Sequence, residues 1–149
     1  MDRNTKAKIK VRPMEPEDIT GVLEIDHKIM GEKRAVTYQD LVAGDLGGEL
    51  DLSYVAEAGD KVVGFIMARH AFFGAPPVEA GFIQIMGVDP DYQGQGIALE
   101  LVRALLQHCS NKGPKLLRVM VNERDTQLGG FFAHVGFRRG QTIEYAMKL

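Results

Sequence analysis

Apolar and polar residues alternate at Ile9-Lys10-Val11-Arg12, the two-residue period of a strand with one buried face. The period then changes. Pro16-Glu17-Asp18 has the features of a helix start, since proline is tolerated in a first turn and acids suit the positive end of the helix dipole. Ile19, Val22, Leu23, Ile25 and Ile29 follow at helical spacing and mark one apolar face. Thr37 reads as the N-cap of a second helix that carries Leu41 and Val42 and ends near Gly47-Gly48. Leu52 to Ala58 and Val62 to His70 read as strands joined by a tight hairpin at Gly59-Asp60-Lys61. The stretch Ala71 to Pro77 connects to a fourth strand, Phe82 to Val88. A helix from Leu99 to His108, a strand from Lys115 to Val121, a short helix from Thr126 to Val135 and a last strand from Thr142 to Lys148 complete the pattern.

The predicted order is therefore β-α-α-β-β-β-α-β-α-β, an α/β chain of the α+β kind. Helices flank a mixed, mostly antiparallel central sheet. A doubly wound dinucleotide fold is excluded, because its helices alternate with parallel strands. A length of 149 residues fits a single domain, residues 1–149, around one core. A hydrophobic share of 45% and a charged share of 26% describe an ordinary globule.

The junction between the fourth strand and the following helix holds the chemistry. It reads Val88-Asp89-Pro90-Asp91-Tyr92-Gln93-Gly94-Gln95-Gly96-Ile97-Ala98. A strand, a glycine-bearing turn and a helix start together present unpaired backbone N–H groups to an anion. Gly94 and Gly96 let a ligand approach the main chain where a side chain would obstruct it. A P-loop would need Gly-Lys-Ser/Thr, but Gly96 is followed by Ile97-Ala98. A Rossmann turn needs a third small residue that is misplaced here. The pattern Q/R-x-x-G-x-G/A is met by Gln93, Gly96 and Ala98.

With Val88-x-Pro90, Tyr92, the Leu-rich helix and the late Phe131-Phe132-Ala133-His134-Val135-Gly136-Phe137 segment, the chain resembles the GNAT family of acyl-CoA-dependent N-acyltransferases. The resemblance runs from about Ile9 to the C-terminus. It implies the GNAT fold and acetyl-CoA as cosubstrate. The pyrophosphate would lie on the main chain of Gln93, Gly94, Gln95, Gly96, Ile97 and Ala98. The pantetheine arm would lie where the fourth and fifth strands splay, bonded to Met86, Gly87 and Val88. Phe132 matches a position beside the coenzyme. Gly87, inside a strand, also fits a bulge or a packing need for a small side chain.

N-acylation requires a neutral amine, a donor to the oxyanion and an acid for the leaving thiolate. The Val88 N–H is the natural oxyanion donor. Simple alternation would put Phe82, Gln84, Met86 and Val88 on one face of the strand. Family members that use a side-chain base often carry Glu or His at the positions of Phe82 or Gln84, and Tyr at the position of Phe132. Here a phenylalanine cannot donate a proton and a glutamine cannot act as a base. Three explanations stand open. Gln84 positions a water; or Glu79, Glu144 or Tyr145 substitutes from an adjacent strand; or the protein binds acyl-CoA as a sensor or interaction module with little or no turnover. Proximity and an oxyanion donor alone leave substantial catalysis.

The resemblance implies that the acceptor is a primary amine, on a small molecule or a protein. The resemblance ties its choice to Met30-Gly31-Glu32-Lys33-Arg34-Ala35, to the last hairpin, and to Phe72-Phe73-Gly74-Ala75-Pro76-Pro77-Val78. The two phenylalanines are read as a pocket wall, a dimer contact or a loop tucked on the core; related domains often pair, so a homodimer is open. His70 is a candidate for the pocket lining. Arg138 and Arg139 are read as a solvated strand end or as steering groups for an anion.

The net charge of −2 gives no reason to expect nucleic acid. The scattered histidines His27, His70, His108 and His134 give no metal spacing. The single cysteine, Cys109, reads as a small buried residue and suits a reducing, cytoplasmic setting. The polar N-terminus does not resemble a secretory signal, and no apolar run reaches bilayer length.

Overall fold

The computed structural model describes residues 8–31, 52–111 and 113–149, in two compact units that divide after Val119. The first holds β1 (Ile9–Pro13), α1 (Ile19–Met30), β2 (Tyr54–Ala58), β3 (Lys61–Phe73), β4 (Val78–Val88), α2 (Ile97–Asn111) and β5 (Leu117–Val119). The five strands form one sheet in chain order. All neighbours are antiparallel except β4 and β5, which are parallel as a helical crossover requires. The helix expected over 37–48 lies outside the described residues.

Alternation along β3 sends its side chains to two helices. Phe65 and Met67 join Met14, Val22, Ile25 and Val55 in the core beneath α1, with Ile85 of β4 packed against them. Gly64 faces the other way. A Cβ there would stand 2.9 Å from Ile97 Cγ2, so α2 rests directly on the strand's backbone. Ile97, Leu101, Val102, Leu105 and Cys109 are the buried positions of α2, spaced for one apolar face. Each fully buried Leu or Ile contributes about 1.5–3 kcal/mol. Cys109 is thus a core residue, and burial pushes its thiol pKa up.

The connection expected over Ala71–Pro77 is shorter than the sequence suggested, because β3 continues through Phe73 and β4 begins at Val78. Cross-strand pairing carries the ladder to the turn. Phe72 and Phe73 therefore point to opposite faces. Phe72 is 69% exposed, whereas Phe73 packs on Phe82 with ring centroids 5.7 Å apart.

The second unit holds α3 (Thr126–Val135). Asp125 caps it by accepting from Leu128 N at 3.0 Å. Phe132 is buried, edge-on to Phe131 and Phe137. The strand expected over Thr142–Lys148 is not formed. Residues 136–149 carry no strand, and Ile143, Tyr145 and Met147 are exposed. Alternation states which face a strand would bury, but a strand needs cross-strand partners to exist.

Arg12 of β1 ties the sheet to the approach of α1. Its guanidinium donates two 2.8 Å bonds to Asp18 and a 3.2 Å bond to Glu57 of β2. The Arg12 bonds hold the Asp18 carboxyl below the usual range; burial opposes this and the Glu15 N–H assists it. A carboxyl lowered in the folded state contributes stability above its unfolded pKa of about 3.9, and that contribution is lost as pH falls through the folded value. The urea midpoint should therefore drop as pH is lowered from about 5 to 3. In Arg12→Met the drop should be shallower; equal slopes in the two proteins would exclude this linkage.

Candidate functional site

Interstrand pairing shapes the site at β4. Met67 pairs with Ile85 and Ala68 pairs with Ile83, so the ladder skips Gln84. This bulge corrects the simple alternation expected for the strand. Paired residues share a face, and Met67 and Ala68 point oppositely; Ile83 and Ile85 must do so too. Phe82 thus joins Ile85 and Gly87 on the α1 face, while Met86 and Val88 lie on the α2 face with Ile83. Pairing with β5 covers only Gly81, Phe82 and Ile83. The bulge and the parting of β4 from β5 coincide at Gln84.

Hydrogen bonding decides where the β4 backbone points beyond the bulge. Asp89 N–H donates to Val63 O at 2.8 Å. Hydrogen-bonded and non-bonded pairs alternate in an antiparallel ladder. Val88 (opposite Gly64) and Met86 (opposite Ile66) therefore turn their N–H and C=O groups away from β3, toward the side where β5 has left. Gly87 directs its main chain to β3. A Cβ on it would lie 2.9 Å from Phe65 Cε1 and 3.1 Å from Ile29 Cδ1, so close packing accounts for this glycine.

The loop after β4 is pinned from below. Asp89 has a side chain only 1% exposed, although it is a carboxylate. One oxygen accepts from Asp91 N at 2.9 Å and caps the 3-10 turn Pro90–Tyr92; the other meets Lys28 Nζ of α1 at 3.0 Å and Lys61 Nζ at 3.7 Å. Burial pushes its pKa up, but the Asp91 N–H and the Lys28 ammonium outweigh burial and leave the carboxyl below its ordinary value. The turn delivers the chain to Gly94 and Gly96, whose φ values of +81° and +80° favour glycine. A Cβ at either would meet nothing within 4 Å, so this surface is open. Helix α2 starts at Ile97, and Glu100 N–H to Gly96 O at 3.1 Å is its first bond reaching back into the loop. The first-turn amides ahead of Glu100 are the unpaired donors of a helix start. Gln95 Oε1 is buried without a hydrogen-bond partner among the described residues, and Gln93 Nε2 reaches back to Val88 O at 3.4 Å. Electrostatically this loop suits an anion.

The chain as a whole has counterparts among known proteins. Residues 19–137 match the Acetyltransferase (GNAT) family. The chain belongs to the GNAT family. An acetyltransferase of Yersinia pestis (strain Pestoides F) is 28% identical over 104 residues, 70% of each chain. The mycothiol acetyltransferase of Nocardioides sp. is 31% identical over 93 residues, 59% of this chain but only 32% of that longer protein. The aminoglycoside acetyltransferase AAC(6')-Iy, solved with a bisubstrate analogue containing coenzyme A, superposes with a TM-score of 0.76 at 17% identity, covering 96% of this chain and 99% of that one. Its likeness establishes the shared fold.

The remaining candidates of this GNAT chain are dispersed. Gln84 is the bulged residue at the split. Glu79 Oε1 lies 3.2 Å from His70 Nδ1 on the outer part of the β3–β4 hairpin. It stands five residues from Gln84, about 16 Å along the strand. Tyr145 is 92% exposed in the irregular end of the second unit. The structure thus brings Gln84, Met86, Val88 and the glycine loop into one neighbourhood and leaves Glu79 outside it. Asp89 was missed as a site residue, although its place between Val88 and Pro90, ahead of a turn, is a cap signal. Among the described residues no group of three or more His, Cys, Asp or Glu could hold a metal, and no helix is long and apolar enough to cross a membrane.

Asp89→Ala should lower stability by about 0.5–2 kcal/mol through loss of the cap, and should speed hydrogen exchange at the Asp91 and Tyr92 amides. Unchanged exchange there would show that the turn holds itself.

Proposed function

We propose that this chain, as a single acyl-CoA-dependent domain over residues 1–149, transfers an acetyl group from acetyl-CoA to a primary amine by direct attack in a ternary complex. The observation that carries the reading is the backbone of β4. Met86 and Val88 turn their polar groups into the split immediately before a glycine turn whose surface is open. The coenzyme analogue in AAC(6')-Iy supports the same ligand class.

Acetyl-CoA supplies the activated acyl group. Gln93, Gly94, Gln95, Gly96, Ile97 and Ala98 hold its pyrophosphate on main-chain N–H groups, with the α2 dipole adding to the attraction. Met86 and Val88 hold the pantetheine amides as an added strand would be held. The Val88 N–H then stabilises charge developing on the thioester oxygen. Gln84 orients a water that accepts the amine proton; an amide cannot take that proton itself. Glu79 and Tyr145 are weaker candidates for this relay, because Glu79 is distant along the strand and Tyr145 lies in an exposed irregular segment. Phe132, at the position where the family commonly carries Tyr, has no proton to donate. Alignment of amine and thioester supplies much of the rate. A chain that begins without a strong side-chain base should favour high pH, where more of the acceptor is neutral.

Gly96→Asp tests the coenzyme site. The variant adds a carboxylate where only an anion is expected, and aspartate tolerates a positive φ better than most residues. Acetyl-CoA affinity by calorimetry should fall at least about 100-fold while the circular dichroism spectrum stays unchanged. Equal affinity in both proteins would defeat the assignment. Thiol release from acetyl-CoA across an amine panel tests turnover: release should rise with pH, whereas coenzyme binding with no release from any amine would make the protein a binding module.

A further inference from the structure

We propose that a row of three side chains, Arg69, Phe82 and Arg118, selects an acceptor amine that carries a carboxylate. Arg69 of β3 is the register partner of Phe82 in β4, and Phe82 is the register partner of Arg118 in β5. Partners in a sheet project to the same face, so the three form one line across three strands. With strands about 4.8 Å apart, the two arginines start about 10 Å from each other with a phenyl ring between them. Phe73 completes the group. Its ring lies 5.7 Å from that of Phe82, and the Arg118 guanidinium sits over it at 5.3 Å.

The Phe73 ring holds the Arg118 fork in place through a cation–π contact. A guanidinium fixed in this way is matched to the two oxygens of a carboxylate. The hairpin's own anion does not occupy this face: Glu79 and His70 pair on the opposite side of the sheet, as their register with Phe72 and Gly81 requires. The row also lies where an acceptor must pass. Phe82 is two residues, about 7 Å, from the Gln84 bulge at which β4 and β5 part. It shares the α1 face, so a ligand on it approaches the split from the side opposite α2. A polycationic acceptor, such as an aminoglycoside, would bring its ammonium groups against two guanidiniums; the row discriminates against it by repulsion as well as favouring acids by attraction.

This inference rests on acetyl transfer to an amine at the split, and the experiment separates the two. Amino acids and peptides with a free carboxylate are compared with their primary amides as acceptors, in the wild-type protein, Arg118→Gln and Arg69→Gln. The ratio of kcat/KM for acid over amide should exceed about 10 in the wild type. It should fall about 10-fold or more in Arg118→Gln through the KM of the acid, with acetyl-CoA affinity by calorimetry within twofold of wild type. Comparing the ratio between proteins cancels the intrinsic difference in amine basicity. A ratio untouched by both substitutions, or a wild type that prefers an aminoglycoside to every acid, overturns the inference while leaving the transfer reading in place. Failure of the reading itself shows as absent acetyl-CoA binding, or as binding without transfer to any acid or amide, and the inference falls with it.

Discussion

The chain's architecture turns on one strand that loses a neighbour halfway along. β4 pairs with β3 throughout but with β5 only at Gly81 to Ile83. Backbone polar groups are obligatory hydrogen-bonding groups, and leaving them unmade is costly. Beyond the Gln84 bulge, every second residue of β4 directs its pair of polar groups to the vacated side. A sheet edge of this kind accepts an extended polar ligand much as it would accept another strand. On the proposed reading that ligand is the pantetheine arm, and Val88 doubles as oxyanion donor.

Holding an edge open requires rigidity around it. Both faces of the β3–β4 ladder are packed, with α1 over Phe65, Met67 and Ile85 and α2 against the bare backbone at Gly64. The glycine loop is fixed by a different means. Asp89 is drawn into the protein and held by an amide and two ammonium groups. Its buried charge fixes the turn, and the turn sets the angle at which Gly94, Gly96 and the first amides of α2 meet a ligand. Packing and electrostatics therefore divide the work: apolar contacts hold the strand, and a buried ion cluster holds the loop.

The two faces at the split differ in character. One bears α2 and the glycine loop. The other bears the arginine–phenylalanine row. A two-substrate reaction needs such separation, because donor and acceptor must reach one point from different directions. The face that Phe82 occupies follows from the bulge: were Gln84 paired in a regular ladder, Phe82 would share the face of Met86.

The amphipathic periods of α1 and α2, the hairpin at Gly59-Asp60 and the glycine loop were legible in the sequence, because each depends on neighbours within a few residues. Helix α3 was legible to its ends for the same reason: Asp125 and Gly136 are local start and stop signals. The extent of β3 and β4 was not, since Phe72, Phe73 and Val78 become strand only by pairing with each other. Nor was the absence of a strand at Thr142–Lys148, where alternation is present without a paired partner. The sequence by itself determined the order of the described elements from β1 to α3, the glycine loop and the family. Tertiary structure alone decided the bulge at Gln84, the face of each β4 side chain and the burial of Asp89. These are consequences of register between distant segments, and register is a property of two strands together that neither carries in its own residues.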